Sequence, residues 1–271
     1  MRIFCGRIAK RGRAGVCARS KRFEETQTGC NGERRPPHTL LTKTEWLHIW
    51  KDTYHTMHNL DLKRIAIFAV AFLSAITIHE YAHGRAALAA GDDTAKRAGR
   101  LTLNPLAHLD PLGTIFFAVM LMSGFGIGWA KPVPVNPMRF RNPRWDSFKV
   151  SIWGPLSNML FASVLAIVFR VVVLGFGNLE YGQLISTCVL INVMLAVFNL
   201  LPIPPLDGSH ILSSLLPLEL SRRFDQVIGR YGMSVLLAVI VIGMVTGYSI
   251  ISMVIMPPIQ FIGSHLLGVP V

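Results

Sequence analysis

The stretch IAIFAVAFLSAITIHEYAHGRAALAA, residues 65–90, is apolar apart from one short cluster of ionisable residues. A membrane-spanning helix needs about 20 predominantly apolar residues, so this stretch is long enough to cross a bilayer. His79, Glu80 and His83 lie inside it, where ionisable side chains are costly and usually mark a functional site. The stretch therefore predicts a spanning helix that carries chemistry.

The spacing of His79 and His83 suits a shared metal ion. Residues four apart on a helix are separated by about 40° of rotation and roughly 6 Å of rise, so both imidazoles face one point, and imidazoles suit Zn²⁺. Glu80 is rotated by about 100° from His79, which places it beside the ion as a base for water rather than as a ligand. The alternative is a structural cluster in which Glu80 pairs with His79 or Arg85.

The composition is that of a polytopic membrane protein. The chain has 271 residues, of which 51% are hydrophobic and 15% charged, and its mean hydropathy is positive. Further apolar runs lie at residues 112–130, 148–177, 184–201 and 233–256, with a weaker apolar tail at 259–271. We predict an all-α polytopic membrane protein: a bundle of about four to five transmembrane helices, one re-entrant or shallow apolar element and short extended segments.

The net charge of +12 does not indicate a nucleic-acid partner. The basic residues lie mainly in the first 64 positions and in loops between apolar runs. Membrane orientation explains the loop charges more simply than the binding of nucleic acid or anionic lipid. The four cysteines form no C-x-x-C pair, so they indicate neither a zinc ribbon nor a disulfide framework.

Residues 1–56 differ from the rest of the chain. They are basic and contain no apolar core of the kind that a secretory signal needs. We predict an atypical, disordered extension, or a stretch that precedes the true start of translation. Met57 begins MHNLDLKRIAIF, a natural start for a protein whose first element is the metal-binding helix. The predicted membrane-embedded domain is then residues 57–271.

Two proline-containing loop regions follow the first apolar run. Residues 99–113, GRLTLNPLAHLDPLG, contain Pro105 and Pro111, which break any helix. Residues 128–137, GWAKPVPVNP, favour an extended edge strand because their prolines exclude helix. Such an edge can accept an extended peptide by strand addition, and a rigid connector with no binding role is the alternative. We interpret His108 and His210, near polar turns, as hydrogen-bonding loop residues.

A second polar cluster follows the fourth apolar run, at residues 199–208, NLLPIPPLDG. Prolines this dense cannot continue a helix, so the backbone must unwind against protein or a polar cavity. Asp207 on this irregular segment is the best candidate for a third metal ligand, which leaves a fourth position for water. The alternative is that Asp207 and Gly208 form an ordinary turn at a membrane exit.

Taken together, HEYAH on a membrane helix and the later NLLPIPPLDG resemble the site-2 protease family of intramembrane zinc metalloproteases. The resemblance is strongest to the compact bacterial branch without a PDZ domain. It covers residues 65–211, including both loop segments and GPLSN at 154–158, whereas residues 1–56 match nothing associated with the family.

The resemblance implies a role for each polar residue. His79, His83 and Asp207 would bind one Zn²⁺ per chain, and Glu80 would be the catalytic base. Asn158 fills the place of a family asparagine that helps to bind substrate or stabilise the intermediate, and a helix–helix hydrogen bond is the alternative for it. Residues 57–271 would then be a metalloprotease domain that hydrolyses peptide bonds within or near transmembrane segments of membrane proteins.

Two rival functions keep part of this pattern. A membrane protein that binds or transports metal would use the three ligands and would not need Glu80. A structural membrane subunit would carry the motif as a vestige. The implied partners of a protease are transmembrane protein substrates and the lipid bilayer, with the oligomeric state left open.

The shared ion constrains the topology. His83 lies near the end of the first span and Asp207 just past the end of the fourth apolar run, so both ends must lie on one face of the membrane. Four complete crossings would put them on opposite faces. We therefore predict that residues 112–130, which are short and flanked by prolines, form a re-entrant or shallow element.

The basic loops predict the orientation of that face. If one apolar run does not cross, most loop lysines and arginines lie on the same face of the membrane as the metal. The positive-inside rule then predicts that this face is cytoplasmic. We predict that the protein lies in the cell (inner) membrane. The basic residues of 1–56 would then lie on the opposite face. A translation start near Met57 largely removes this conflict.

Overall fold

The chain is mainly helical in the part that the computed structural model describes, residues 62–123, 130–175, 179–246 and 249–268. These residues all lie within one compact unit, 41–271. No strand occurs among them, and an isolated antiparallel bridge joins Leu109 to Ala130. The predicted extension at 1–56 and start at Met57 lie outside the described residues.

The helices are, in chain order, α1 (Leu62–Ala90), α2 (Thr94–Arg97), α3 (Pro111–Ser123), α4 (Pro143–Phe169), α5 (Leu179–Asn199), α6 (Asp207–Leu215), α7 (Leu218–Thr246) and α8 (Ile250–Leu267). Short 3₁₀ turns lie at Pro105–His108 and Pro137–Arg139, and a π-helical stretch, Arg170–Gly175, extends α4. Asn142 begins α4 as its N-cap, since its side chain accepts a hydrogen bond from the Trp145 N–H.

Four described helices are long and apolar enough to cross a membrane: Ile65–Ala90, Pro143–Val173, Tyr181–Asn199 and Ile250–Leu267. A fifth span results if the two segments of α7, Leu218–Val227 and Gly229–Gly243, count as one crossing with a bend of 53°. The prediction of an all-α polytopic protein with four to five spanning helices is confirmed.

α4 and α5 form the centre of the bundle. They pack on each other, and both α1 and α8 pack on them. Ala71 and Ala75 of α1 form one buried cluster with Cys188 and Ile191 of α5, because small residues let membrane helices approach closely. A second cluster joins α4, α5 and α8 through Ala162, Ala166, Phe169, Val189, Val193, Ile255, Ile259 and Leu267. The helix that carries HEYAH is thus held on two sides.

The last apolar run of the sequence, residues 233–256, is divided between α7 and α8 and does not correspond to one helix. Ser249 begins α8 as its N-cap, with its hydroxyl accepting a hydrogen bond from the Ser252 N–H at 3.2 Å. Residues 259–267 of the weakly apolar tail form the second half of the 18-residue helix α8, which continues past Pro257 and Pro258.

The residues that precede and follow α3 lie close together. Leu109 and Ala130 are bridged, and the Lys131 N–H donates to the His108 carbonyl at 2.9 Å, so the chain leaves and returns at one level. The 13 residues of α3 span about 20 Å, less than the hydrocarbon core of about 30 Å. This geometry agrees with the predicted re-entrant or shallow element, and residues 124–129 lie outside the description.

Candidate metal centre and active site

Three predicted metal ligands meet in space. The Nε2 atoms of His79 and His83 on α1 are 3.0 Å apart, and Oδ2 of Asp207 lies 3.2 and 3.3 Å from them. Both histidines are buried and Asp207 is half-buried. Within the described ranges, these residues form the one group of three or more histidine, cysteine or carboxylate side chains placed to share an ion.

The other ring nitrogens of the histidines set their tautomers. His83 Nδ1 lies 2.8 Å from the Val150 carbonyl, which can only accept, so Nδ1 carries the proton. Asn158 donates from Nδ2 to the Ala75 carbonyl at 2.9 Å, which orients its amide. Its Oδ1 therefore faces His79 and accepts the Nδ1 proton at 2.7 Å. In the neutral imidazoles both Nε2 atoms then present lone pairs.

This arrangement fits zinc. The two Nε2 lone pairs and the Asp207 Oδ2 atom face one another. Asp207 Oδ2 is buried and has no hydrogen-bond donor among the described residues. Three such electron-rich atoms repel one another unless a cation lies between them. Ligand atoms around a tetrahedral Zn²⁺ with bonds of about 2.0–2.1 Å lie about 3.3 Å apart. The observed separations of 3.0 to 3.3 Å are close to that value.

The proline segment brings Asp207 to the histidines. α5 ends at Asn199 and the chain unwinds over residues 200–206 before α6 begins at Asp207. A carboxylate in the first turn of a helix is favoured by the helix dipole. Gly208 packs tightly here, because a Cβ would lie 2.5 Å from the Leu200 carbonyl carbon. Asp207 is thus a helix-initiating residue rather than part of a simple turn.

α6 is also tied to α4 at its other end. Arg144, near the start of α4, donates from Nε to the Ser214 carbonyl at 2.8 Å and from Nη2 to the Leu216 carbonyl. These carbonyls end α6, where cationic groups are favoured. Arg144, which the sequence places among the orientation charges, thus helps to position the helix of Asp207.

Gly154 lets α4 approach the two histidines. A Cβ at this position would lie 2.7 Å from Cε1 of His79 and still closer to the His83 ring. Any larger residue would displace the imidazoles. This role was not predicted from the sequence, where Gly154 stands out only as part of GPLSN. The available signal is its position four residues before Asn158, on the same helix face.

Asn158 acts on His79 in this structure. It is fully buried, and besides His79 and Ala75 it bonds Oδ1 of Asn192 at 2.9 Å. Asn192 is equally buried and donates to the Cys188 carbonyl at 2.8 Å. These contacts match the helix–helix alternative, and a role for Asn158 in substrate binding stays a prediction. Asn192 was not predicted from the sequence, although an amide within an apolar run needs a partner.

Glu80 stands beside the three ligands and is not one of them. It is half-buried, and its Oε2 accepts a hydrogen bond from the Val133 N–H at 2.7 Å. Among the described residues it forms no ion pair with His79 or Arg85, the partners of the alternative interpretation.

The proline segment at 130–136 is extended and pinned. The N–H groups of Lys131, Val133 and Asn136 donate to His108, Glu80 and Asp92 respectively. Pro132 and Pro134 have no N–H, so Ala130 and Val135 carry the remaining donors of the segment. These bonds fix the segment to three other parts of the chain, and its role as an edge strand or as a rigid connector stays a prediction.

His108 and His210 lie apart from the metal cluster. His108 is buried and its Nε2 bonds the Thr102 carbonyl at 2.9 Å, and His210 is exposed. Neither joins the group that can share an ion.

The chain is similar to proteins named as zinc metalloproteases. Residues 176–242 match Peptidase family M50. Over 186 residues the chain is 40% identical to "Putative zinc metalloprotease YwhC" of Bacillus subtilis (strain 168), an alignment that covers 66% of this chain and 82% of that protein. The chain belongs to peptidase family M50. Its identity to "Putative zinc metalloprotease Rip2" of Mycolicibacterium smegmatis (strain ATCC 700084 / mc(2)155) is 29% over 157 residues, 56% of this chain and 59% of Rip2. No solved structure matches.

Membership in M50, the site-2 protease family, confirms the resemblance seen in the motifs. The protein is an intramembrane zinc metalloprotease and is located in a membrane. Its cofactor is Zn²⁺ and its substrates are peptides. The rival interpretations, a metal-transport protein and a structural subunit, gain no support from these relatives. The match to M50, residues 176–242, contains Asp207 and begins well after His79 and His83 in the sequence.

Proposed function

We propose that this M50 protease cleaves peptide bonds within or beside transmembrane segments of other membrane proteins, with His79, His83 and Asp207 as zinc ligands and Glu80 as the catalytic base. The supporting observation is that three ligand atoms lie within 3.3 Å of one another, with the Glu80 carboxylate at the helix position next to His79. The four polar groups needed for metal-assisted hydrolysis are then together.

Different residues of the chain have different roles in the proposed hydrolysis. Bound zinc supplies Lewis acidity, which lets water ionise near neutral pH and polarises the scissile carbonyl. The Val133 N–H holds Oε2 of Glu80, which leaves Oε1 to take a proton from the attacking water. Glu80 then gives this proton to the leaving amide nitrogen. Val150 and Asn158 hold the two imidazoles in the tautomers that bind metal.

The substrate must change shape before cleavage. In a transmembrane helix every backbone carbonyl is bonded within the helix, so water reaches the scissile carbonyl only after local unwinding. The extended segment at 130–136 lies next to Glu80 through Val133. We propose that it guides the unwound stretch past the base, mainly by its shape, with the Ala130 and Val135 N–H groups as its remaining donors.

We also propose that the active site faces the cytoplasm, with the protein in the cell (inner) membrane. The segments on the metal's face are strongly basic, and the positive-inside rule supports a cytoplasmic position for them. These segments include α2, the start of α4 and the first half of α7 as well as loops. The residues concerned are Lys96, Arg97, Arg100, Lys131, Arg139, Arg141, Arg144, Lys149, Arg222, Arg223 and Arg230.

The substitution Glu80→Gln tests the catalytic assignment. We expect zinc content per chain to stay near wild type while cleavage of a transmembrane reporter in liposomes falls at least about 100-fold, the size of a lost acid–base group. Glu219→Gln, at an exposed glutamate, is the matched control and should cleave normally. Comparative membrane proteomics of wild-type and Glu80→Gln cells then identifies substrates as fragments that vanish only in the variant.

Retained cleavage by Glu80→Gln would refute the role of Glu80. Loss of zinc together with activity would instead make Glu80 part of the metal site, which also contradicts the proposal.

A further inference from the structure

An apolar cavity lies between α1 and a facing wall formed by residues within 105–117 and by Ala130. Its volume is about 150 Å³, and the stacked rings of Phe72 and Phe117, 4.2 Å apart, form part of its wall. The hydroxyls of Thr77 and Thr114 in this wall donate to nearby backbone carbonyls, so the lining is essentially apolar. The zinc ligands and their supporting amides do not line it.

The cavity follows the face of α1 that carries Glu80. Ile76 and Thr77 line the cavity and precede Glu80 by four and three residues, so they lie on the same face about 6 and 4.5 Å along the helix axis. His79 is rotated by about 100° from Glu80, toward α4. The cavity therefore borders the base within one helical turn.

The opposite wall connects the cavity to the extended segment. Ala130 lines the cavity and begins that segment, and three residues later the Val133 N–H bonds Glu80 at 2.7 Å. Extended chain rises about 3.3 Å per residue. A peptide that passes Glu80 alongside this segment therefore carries a side chain over the cavity within one to three residues of the bond at Glu80.

The size and chemistry of the cavity select one kind of occupant. A cavity of about 150 Å³ lined by leucine, isoleucine and phenylalanine binds benzene in another protein, so this volume suits one phenylalanine- or leucine-sized side chain. His108 also lines the cavity and is almost fully buried. Its Nδ1 has no partner among the described residues. That nitrogen is itself buried, so the selectivity of the cavity rests on its size and its apolar lining.

We infer that this cavity is a subsite for one large apolar side chain of the substrate, close to the scissile bond. The inference rests on the proposed role of Glu80 as the base. Such a subsite favours cleavage of bonds that have a large apolar side chain at the matching position over bonds that have Ala or another small residue there. Pocket discrimination by a single methylene ranges from about 10- to 200-fold in kcat/KM, which is enough to favour one position.

The test compares reporters that differ at one position near the cleavage site, carrying Ala, Leu or Phe in turn. Zinc-loaded full-length protein in liposomes should cleave the Phe or Leu reporter about 10-fold or more faster than the Ala reporter at that position. Ala130→Leu fills the cavity and should reduce the Phe-to-Ala ratio of kcat/KM by a similar factor. Phe117→Ala enlarges it and should admit a Trp reporter.

Two controls distinguish a substrate subsite from a general effect of packing or folding. Val164→Leu changes an exposed apolar residue of α4 and should leave the ratio as in wild type. A Glu80→Gln protein, incubated with a reporter that carries a benzophenone side chain at the selected position, should crosslink to Ile76 or Phe117. This second measurement does not depend on the folding of cavity variants.

An equal effect of Ala130→Leu on every reporter, or a wild-type enzyme without size preference, would overturn the subsite. So would a preference that follows the acyl-chain length of the liposome, which would assign the cavity to lipid. Cleavage by Glu80→Gln refutes the catalytic assignment instead, so the two failures are distinguishable.

Discussion

His79 and His83 each use one ring nitrogen to bond the protein and turn the other toward Asp207. This division makes the site specific, because the acceptors at Nδ1 decide which nitrogen is free for metal. The acceptor for His79 is itself held by Ala75 and Asn192. At the residue scale, the metal site therefore includes Asn158, which bonds His79, and Asn192, which bonds Asn158.

Asn158→Leu should lower zinc affinity by about 10- to 100-fold, as loss of an outer-shell partner does elsewhere. His79 loses the acceptor that orients it. Asn192→Leu should have a smaller effect, because Asn158 keeps its bond to Ala75. Competition with a chelator in detergent measures both affinities. Unchanged zinc affinity with an altered KM would instead favour the predicted substrate role of Asn158.

At the scale of elements, Asp92 connects the end of α1 to the extended segment. It is fully buried and accepts hydrogen bonds from the N–H groups of Asn136 at 2.6 Å and Thr94 at 3.0 Å, and from the Thr94 hydroxyl. Gly91, with φ of 108°, makes the turn that precedes it. This joint holds residues 130–136 against Glu80.

Asp92 should make stability depend on pH. Burial acts to raise its pKa, but the hydrogen bonds from Asn136 and Thr94, with Arg139 nearby, outweigh it and lower the pKa below the ordinary value of 3.8. A lowered folded-state pKa stabilises the fold above the ordinary value, and this contribution is lost as pH falls toward the folded pKa.

Unfolding of wild type and Asp92→Asn, followed by denaturant in detergent from pH 7 to pH 3, tests this expectation. Asp92→Asn should be less stable at neutral pH by about 1–3 kcal/mol, because its amide leaves buried donors unpaired. The difference should shrink below about pH 4. Asp225→Asn, at an exposed residue, is the control. A difference that stays constant with pH would contradict the assignment.

At the scale of the whole molecule, crossings of the membrane decide whether the site can form. α1, α4 and α5 cross in turn, which returns the chain to the face where α1 ended. α3 does not add a crossing, because Leu109 before it and Ala130 after it are bridged to each other. Had it crossed, Asp207 would lie on the far side of the membrane from the histidines.

Cysteine labelling tests the proposed orientation. In a background with the native cysteines replaced by serine, Lys96→Cys should react with an impermeant maleimide only after cells are permeabilised. Tyr181→Cys, exposed at the start of α5, should react in intact cells, since α4 carries the chain to the other face. Labelling of both positions from outside, or the reverse pattern, would exclude a cytoplasmic site.

The sequence by itself determined the class of fold and the identity of the candidate ligands. Long apolar runs can only be helices in lipid, a four-residue spacing puts His79 and His83 on one face, and the prolines before Asp207 force the chain to unwind. One shared ion also required an element that does not cross. Each of these conclusions follows from local chemistry or from the number of membrane crossings.

Only the tertiary structure decided what surrounds those residues. Apolar runs at membrane depth do not encode which helix faces which, because side chains of similar hydrophobicity fit lipid and protein alike. The contacts of Asn192 with Asn158, of Gly154 with the imidazoles, and of Val133 with Glu80 join residues far apart in the chain. The division at Ser249 likewise depends on one cap within a continuous apolar run. Such pairings arise from packing, which depends on three-dimensional shape.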